Sequence, residues 1–114
     1  MRTIRRGEVW LADLEPTRGH EQSGERLVLV VSANPFNQGR SGLVVAVPFT
    51  TRQRGLPIHV EVRPPDGGLR DVSLAMCEQV RSLAVDRLGP QPFGSVSASV
   101  LSSVETRLRL LLGL

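Results

Sequence analysis

The sequence predicts a small, mainly β (α+β) barrel with one amphipathic helix at its C-terminal end. Three observations carry this. Eight prolines and eleven glycines punctuate 114 residues at short intervals, which favours short strands over long helices. Two runs, Leu27–Val31 (LVLVV) and Leu43–Phe49 (LVVAVPF), are almost continuously apolar and rich in β-branched residues. The final segment changes to helical spacing. Five or six strands followed by one helix, in so short a chain, fit a barrel with the helix packed across it.

The elements follow in order. Glu8–Leu14 (EVWLADL) is the first strand candidate, with Trp10 as a core residue, and Glu15–Glu25 is a long polar loop framed by Pro16, Gly19 and Gly24. Leu27–Val31 reads as a strand buried on both faces, and Leu43–Phe49 as a second, with Pro48 near its end where a missing N–H matters least. Between them, Asn34–Gly42 reads as a loop. In Ile58–Arg63, Ile58, Val60 and Val62 share one face while His59, Glu61 and Arg63 share the outward one. Pro64–Gly68 is a turn. Val72–Arg81 reads as one longer strand, with Val72, Leu74 and Met76 on one side. Its other side, Ser73, Ala75, Cys77, Gln79 and Arg81, is mostly small and polar, a surface that can hold a ligand or equally face water. Val100, Leu101, Val104, Leu108, Leu111 and Leu112 form the helix stripe, with Ser97 or Ser99 as N-cap and Gly113 at the end.

The length fits one domain over residues 1–114. Net charge is +3, and all 14 cationic side chains are arginine. GC-rich coding accounts for much of that total, but a basic, arginine-rich surface is compatible with nucleic acid. The single cysteine excludes an internal disulfide, and so few Cys and His disfavour a zinc site; Cys77 reads as a packing residue. The N-terminus MRTIRRGEVW lacks the apolar core of a secretory signal, and no apolar run approaches a membrane span. The expected compartment is the cytoplasm, with no membrane partner.

Five collinear motifs then narrow the reading. They are Arg6-Gly7-Glu8-Val9-Trp10 running on to Asp13, Pro16 and Gly19; Glu21 followed by Arg26-Leu27-Val28-Leu29-Val30-Val31; Val47-Pro48-Phe49-Thr50-Thr51; Leu56–Val62; and Glu78-Gln79-Val80-Arg81-Ser82-Leu83. Together with Arg87-Leu88 and the terminal helix, they resemble the MazF/PemK toxin family over essentially the whole chain. Two positions depart from the family pattern: Leu27 stands where proline is usual, and His20 where serine is frequent.

The resemblance implies an SH3-like, CcdB/PemK-type barrel of five to seven short strands. It also implies a type II toxin–antitoxin component that cuts single-stranded RNA sequence-specifically, with no cofactor and no metal. Attack by the ribose 2′-OH would leave a 2′,3′-cyclic phosphate and a 5′-OH, which requires a base, charge stabilisation and a proton for the leaving oxygen. Arg26 matches the family's catalytic arginine, whose fork can hold two phosphate oxygens. Thr50 matches the catalytic threonine. Thr51 is its alternative, since strand alternation would let only one of the two face the pocket. Glu21 is the candidate carboxylate. His20 and His59 are the alternative bases by chemistry, His59 reading more readily as structural or paired. For RNA contacts the candidates are Arg18, His20, Phe36, Ser73, Glu78, Gln79 and Arg81. The implied partners are the RNA, a second copy in a homodimer, and an antitoxin with an acidic C-terminal tail. The alternatives are a gyrase poison of the CcdB type and a catalytically silent RNA-binding module of the same fold.

Overall fold

The computed structural model describes residues 2–14 and 24–114. Among these, seven strands form one antiparallel half-barrel: β1 (Glu8–Asp13), β2 (Glu25–Val30), β3 (Leu43–Thr50), β4 (His59–Val62), β5 (Ser73–Met76), β6 (Arg81–Ala84) and β7 (Gly94–Ser95). A four-residue helix, α1 (Asn34–Asn37), and a fifteen-residue helix, α2 (Ala98–Leu112), complete it. The sheet order is β4-β5-β3-β2-β1-β7, and β6 also pairs with β3. No helix among the described residues is long and apolar enough to cross a membrane.

The apolar runs are explained by burial of both faces of the central strands. Val9, Leu29, Val47 and Phe49 pack on one face with Val60, Ala75, Cys77 and Val104 of α2. Trp10, Ala12, Val28, Val30, Val44 and Ala46 pack on the other with Ile4, Leu14, Leu83 and Leu88. A strand between two cores has no polar face, so the alternation expected of a half-exposed strand disappears from its sequence.

Four expectations are corrected. Val72–Arg81 is two strands, β5 and β6, separated by a 3₁₀ turn at Cys77–Gln79. Both pair with β3, β5 at Phe49–Thr50 and β6 at Leu43–Ala46. The turn carries the chain past the gap between them, where Pro48 has no N–H to donate. The supposed small polar face is broken up accordingly: Ser73, Ala75 and Cys77 are buried, the latter two in the first core. His59 is also buried rather than outward, because its Nε2 lies 2.9 Å from Glu78 Oε2 on the 3₁₀ turn. The Asn34–Gly42 stretch holds α1, started by Pro35 in its first turn and tied down by Asn37 Nδ2 donating to Ser32 O (3.0 Å).

Of the two cap candidates, Ser97 is the one used: its Oγ accepts from Val100 N at 3.3 Å. The same hydroxyl donates to Asp66 Oδ2 (2.8 Å) and Ser97 N donates to Asp66 Oδ1 (2.7 Å), so the turn at Asp66–Gly68 anchors the start of α2. Gly113 ends the helix with φ 72°, as a left-handed C-terminal glycine does.

Gly68 matters more than its place in a turn suggests. Its φ is 73°, and a Cβ there would sit 2.2 Å from Phe93 O. Gly94 is equally constrained, since a Cβ on it would lie 2.9 Å from Gly68 N. These two glycines let the turn and the strand β7 approach backbone to backbone. Gly68→Ala is therefore expected to destabilise by about 2–4 kcal/mol in urea unfolding. Gly42→Ala, with a similar φ of 69° but open space around the new methyl, should cost only about 1 kcal/mol. Equal losses would refute the close-packing account.

Candidate active site

The register of β2 on β3 brings the two principal candidates together. Val28 pairs with Pro48, Leu29 with Val47 and Val30 with Ala46. Past the last of these pairs β2 reaches back to Glu25 and β3 runs on to Thr50, so Arg26 and Thr50 stand at adjoining strand ends that line the same cleft. On the neighbouring edge, Phe49 pairs with Ala75 and Thr50 with Leu74, next to Ser73 at the start of β5. The ends of β2, β3 and β5 thus converge on one cleft of about 380 Å³. Among the described residues it is lined by Glu25, Arg26, Leu27, Phe49, Thr50, Thr51 and Ser73.

Each wall has a physical reason to hold its shape. Arg26 is held in the β1–β2 ladder, paired with Ala12. Among the described residues its Nε is buried with no hydrogen-bond partner, leaving a guanidinium donor unspent at the cleft. A buried N–H without an acceptor is costly, and an anionic oxygen supplied by a ligand would satisfy it. Thr50 is half-buried at the end of β3, where its Oγ1 accepts from Arg52 N at 3.2 Å; its hydroxyl proton remains available. Thr51 also lines the cleft, contrary to the expectation that only one threonine could. It has left the strand and sits in a bend, so strand alternation no longer governs its direction. Ser73 lies at the floor, donating its Oγ–H to Asp71 O (2.9 Å).

The remaining candidates disperse. Arg18, His20 and Glu21 lie outside the described residues. Arg81 pairs with Ala46, so it shares a sheet face with Arg26 and Thr50 but stands four residues back along β3. It does not line the cleft, and its Nη1 is buried without a partner among the described residues. Glu78 is engaged with His59, and neither it nor Gln79 reaches the cleft. Phe36 is 42% exposed on α1, beside the opposite end of β3 from Thr50, where Asn37 bonds Ser32 and the Ser32 hydroxyl in turn accepts from Val45 N at 2.8 Å. Three lining residues, Leu27, Phe49 and Glu25, are not among the sequence candidates, and of these Glu25 is the charged one. Its only signal was adjacency to Arg26, which gave no reason to separate it from the other exposed acids.

Cys77 serves packing. Its thiol is pushed up from 9.0 to about 11, chiefly by burial, with Arg107 opposing and Glu78 reinforcing the rise. No three His, Cys, Asp or Glu side chains converge as a metal site among the described residues.

A half-barrel with an arginine and a threonine at adjoining strand ends of one cleft is the frame within which the family comparison falls. The family model for PemK-like, MazF-like toxins of type II toxin–antitoxin systems matches residues 5–112, and the chain belongs to that family. "Endoribonuclease MazF9" of Mycobacterium tuberculosis is 38% identical over 117 residues, covering 97% of this chain and 98% of the relative. The crystal structure of MazF from Deinococcus radiodurans superposes with a TM-score of 0.89 at 30% identity, covering all of both chains. An endoribonuclease from a mycobacterial species, solved in complex with its cognate antitoxin, gives a TM-score of 0.77 at 30% identity, covering 100% of this chain and 97% of that one.

A burial-raised thiol has a definite pH consequence. The neutral form is favoured in the folded state, so Cys77's contribution to stability is complete below about pH 9 and declines as pH rises toward about 11. Comparing urea unfolding of wild type and Cys77→Ala across that window should show the extra decline in wild type alone. Cys77 should also resist a thiol reagent at pH 8 until the protein is unfolded; rapid native labelling would contradict the assignment.

Proposed function

We propose that this chain is the toxin of a type II toxin–antitoxin pair and acts as a sequence-specific endoribonuclease on single-stranded RNA, messenger RNA above all, arresting translation and growth. The observation that carries the reading is the cleft where the ends of β2 and β3 bring Arg26 and Thr50 together, with the Arg26 Nε–H buried and without a partner among the described residues. Family membership and relatives named endoribonucleases support it. They also weigh against a gyrase poison or a silent module.

The reaction needs no metal because its nucleophile is already in the substrate. The 2′-oxygen adjacent to the cut attacks phosphorus, and the bond from phosphorus to the 5′-oxygen breaks. A 2′,3′-cyclic phosphate and a 5′-OH result, the leaving 5′-oxygen taking its proton from solvent. No water has to be ionised. Arg26 neutralises the charge building on the non-bridging oxygens, and its place inside a ladder keeps it pre-organised for that task. Thr50 donates a hydrogen bond from its hydroxyl to the same phosphate. Glu21 takes the 2′-proton, an assignment supported by its place five residues before Arg26 in the family motif. Arg18 and His20 from the same loop, and Ser73 at the cleft floor, contact the strand.

The active form is a homodimer in the cytoplasm, restrained by an antitoxin whose acidic, disordered tail occupies the basic groove and orders on binding. The antitoxin complex of the mycobacterial relative supports such a partner.

Long single-stranded RNA incubated with excess EDTA tests the reading. Wild type should cut at discrete short motifs and leave cyclic-phosphate ends. Arg26→Ala should lose about 10²–10³-fold or more in rate, the usual cost of removing a group that stabilises transition-state charge. Intact RNA with wild type, or full activity in Arg26→Ala, would overturn it.

A further inference from the structure

The cleft does not end at Ser73. A second compartment of about 180 Å³ shares Leu27, Thr51 and Ser73 with it and is closed on the far side by Phe93, Arg70 and Asp71. The two are therefore one continuous groove running from Arg26 and Thr50 across the turn after Pro65 to the start of β7. Phe93 is 49% exposed, unusual for the largest apolar residue in its segment. Its backbone is held firmly: Phe93 N donates to Val9 O at 2.8 Å, and Gly68 closes to the point where a Cβ would collide with Phe93 O. Arg70 is exposed, and its guanidinium has no partner among the described residues. A solvent-open aromatic ring on a firmly held backbone, beside an arginine without a partner among the described residues and next to the Arg26 cleft, is the arrangement that single-stranded nucleic acid requires: a π-face for a base and a cation for the backbone.

We infer that this compartment is a nucleobase subsite, in which a base flanking the scissile phosphate stacks on Phe93 while Arg70 holds a neighbouring phosphate. The inference rests on the nuclease reading above and adds to it where part of the selectivity arises. Asp71 limits where the anionic backbone can run, since its carboxylate repels phosphate and leaves the Arg70 side as the path. The pocket holds one base, so its contribution falls on one position of the recognised sequence.

The test is an abasic scan. Once the cut is mapped, short single-stranded RNAs carry an abasic ribose at each flanking position in turn, and kcat/KM is measured for wild type, Phe93→Leu and Phe93→Tyr. Wild type should lose about 5- to 100-fold at one position, the range of one lost base–aromatic stack. Phe93→Leu should lose a similar factor on intact RNA and become insensitive to the abasic replacement at that position alone, while Phe93→Tyr stays within about threefold of wild type. Phe93→Leu cleaving intact RNA like wild type, or keeping the wild-type pattern of abasic sensitivity, overturns the subsite while leaving the nuclease reading intact. So does a Phe93→Leu variant that cuts normally but loses affinity for an acidic peptide, which would assign the compartment to a protein partner. Should wild type cut nothing, the nuclease reading fails by itself. Equal affinity of wild type and Phe93→Leu for 2′-deoxy-blocked RNA would then decide against the subsite as well.

Discussion

Everything at the cleft depends on the antiparallel register of β2 on β3. Val28 against Pro48 fixes it, and a slip of one residue would carry Arg26 and Thr50 to opposite faces. The register is enforced by burial on both sides. Leu29 and Val47 belong to the core beneath α2, while Val28, Val30 and Ala46 belong to the core around Trp10. A one-residue slip would still leave apolar groups facing apolar groups, yet it would mismatch every side-chain volume in two cores at once. Close-packed interiors tolerate that poorly.

The same logic explains why the cleft forms where it does. The ladder of β3 changes partner along one edge, from β6 to β5, and the 3₁₀ turn at Cys77–Gln79 spans the change. Pro48 stands at the break. Beyond it the last residues of β3 are held only by β5 on that side, and their polar side chains emerge at the strand ends rather than into either core. Gly68 and Gly94 then bring the turn and β7 close enough to wall the groove's far end. A rigid scaffold with polar groups at strand termini suits chemistry that relies on positioning and fixed charge.

Much of this was legible in the sequence, for stated physical reasons. The two apolar runs announced doubly buried strands, and the helical stripe with Ser97 and Gly113 announced α2 and its ends. The collinear motifs singled out Arg26 and Thr50. What stayed hidden depended on contacts distant in sequence. Val72–Arg81 has the composition of a single strand; only the competition of two partners for β3 divides it. His59 alternates as an outward residue should, and a carboxylate nineteen positions away on a turn lets it be buried. Phe93 and Arg70 carry no local signal at all, because the compartment between them exists only once two glycines let separate segments touch.

The central claim is that Arg26 and Thr50 act as one unit on one phosphate. A double-mutant cycle of Arg26→Gln and Thr50→Val on kcat/KM for RNA cleavage tests it most directly. Groups that share a transition state are strongly non-additive, so the double variant should be scarcely worse than Arg26→Gln alone. If the two losses simply multiply, the residues work independently, and the cross-strand pair is not the catalytic unit described here.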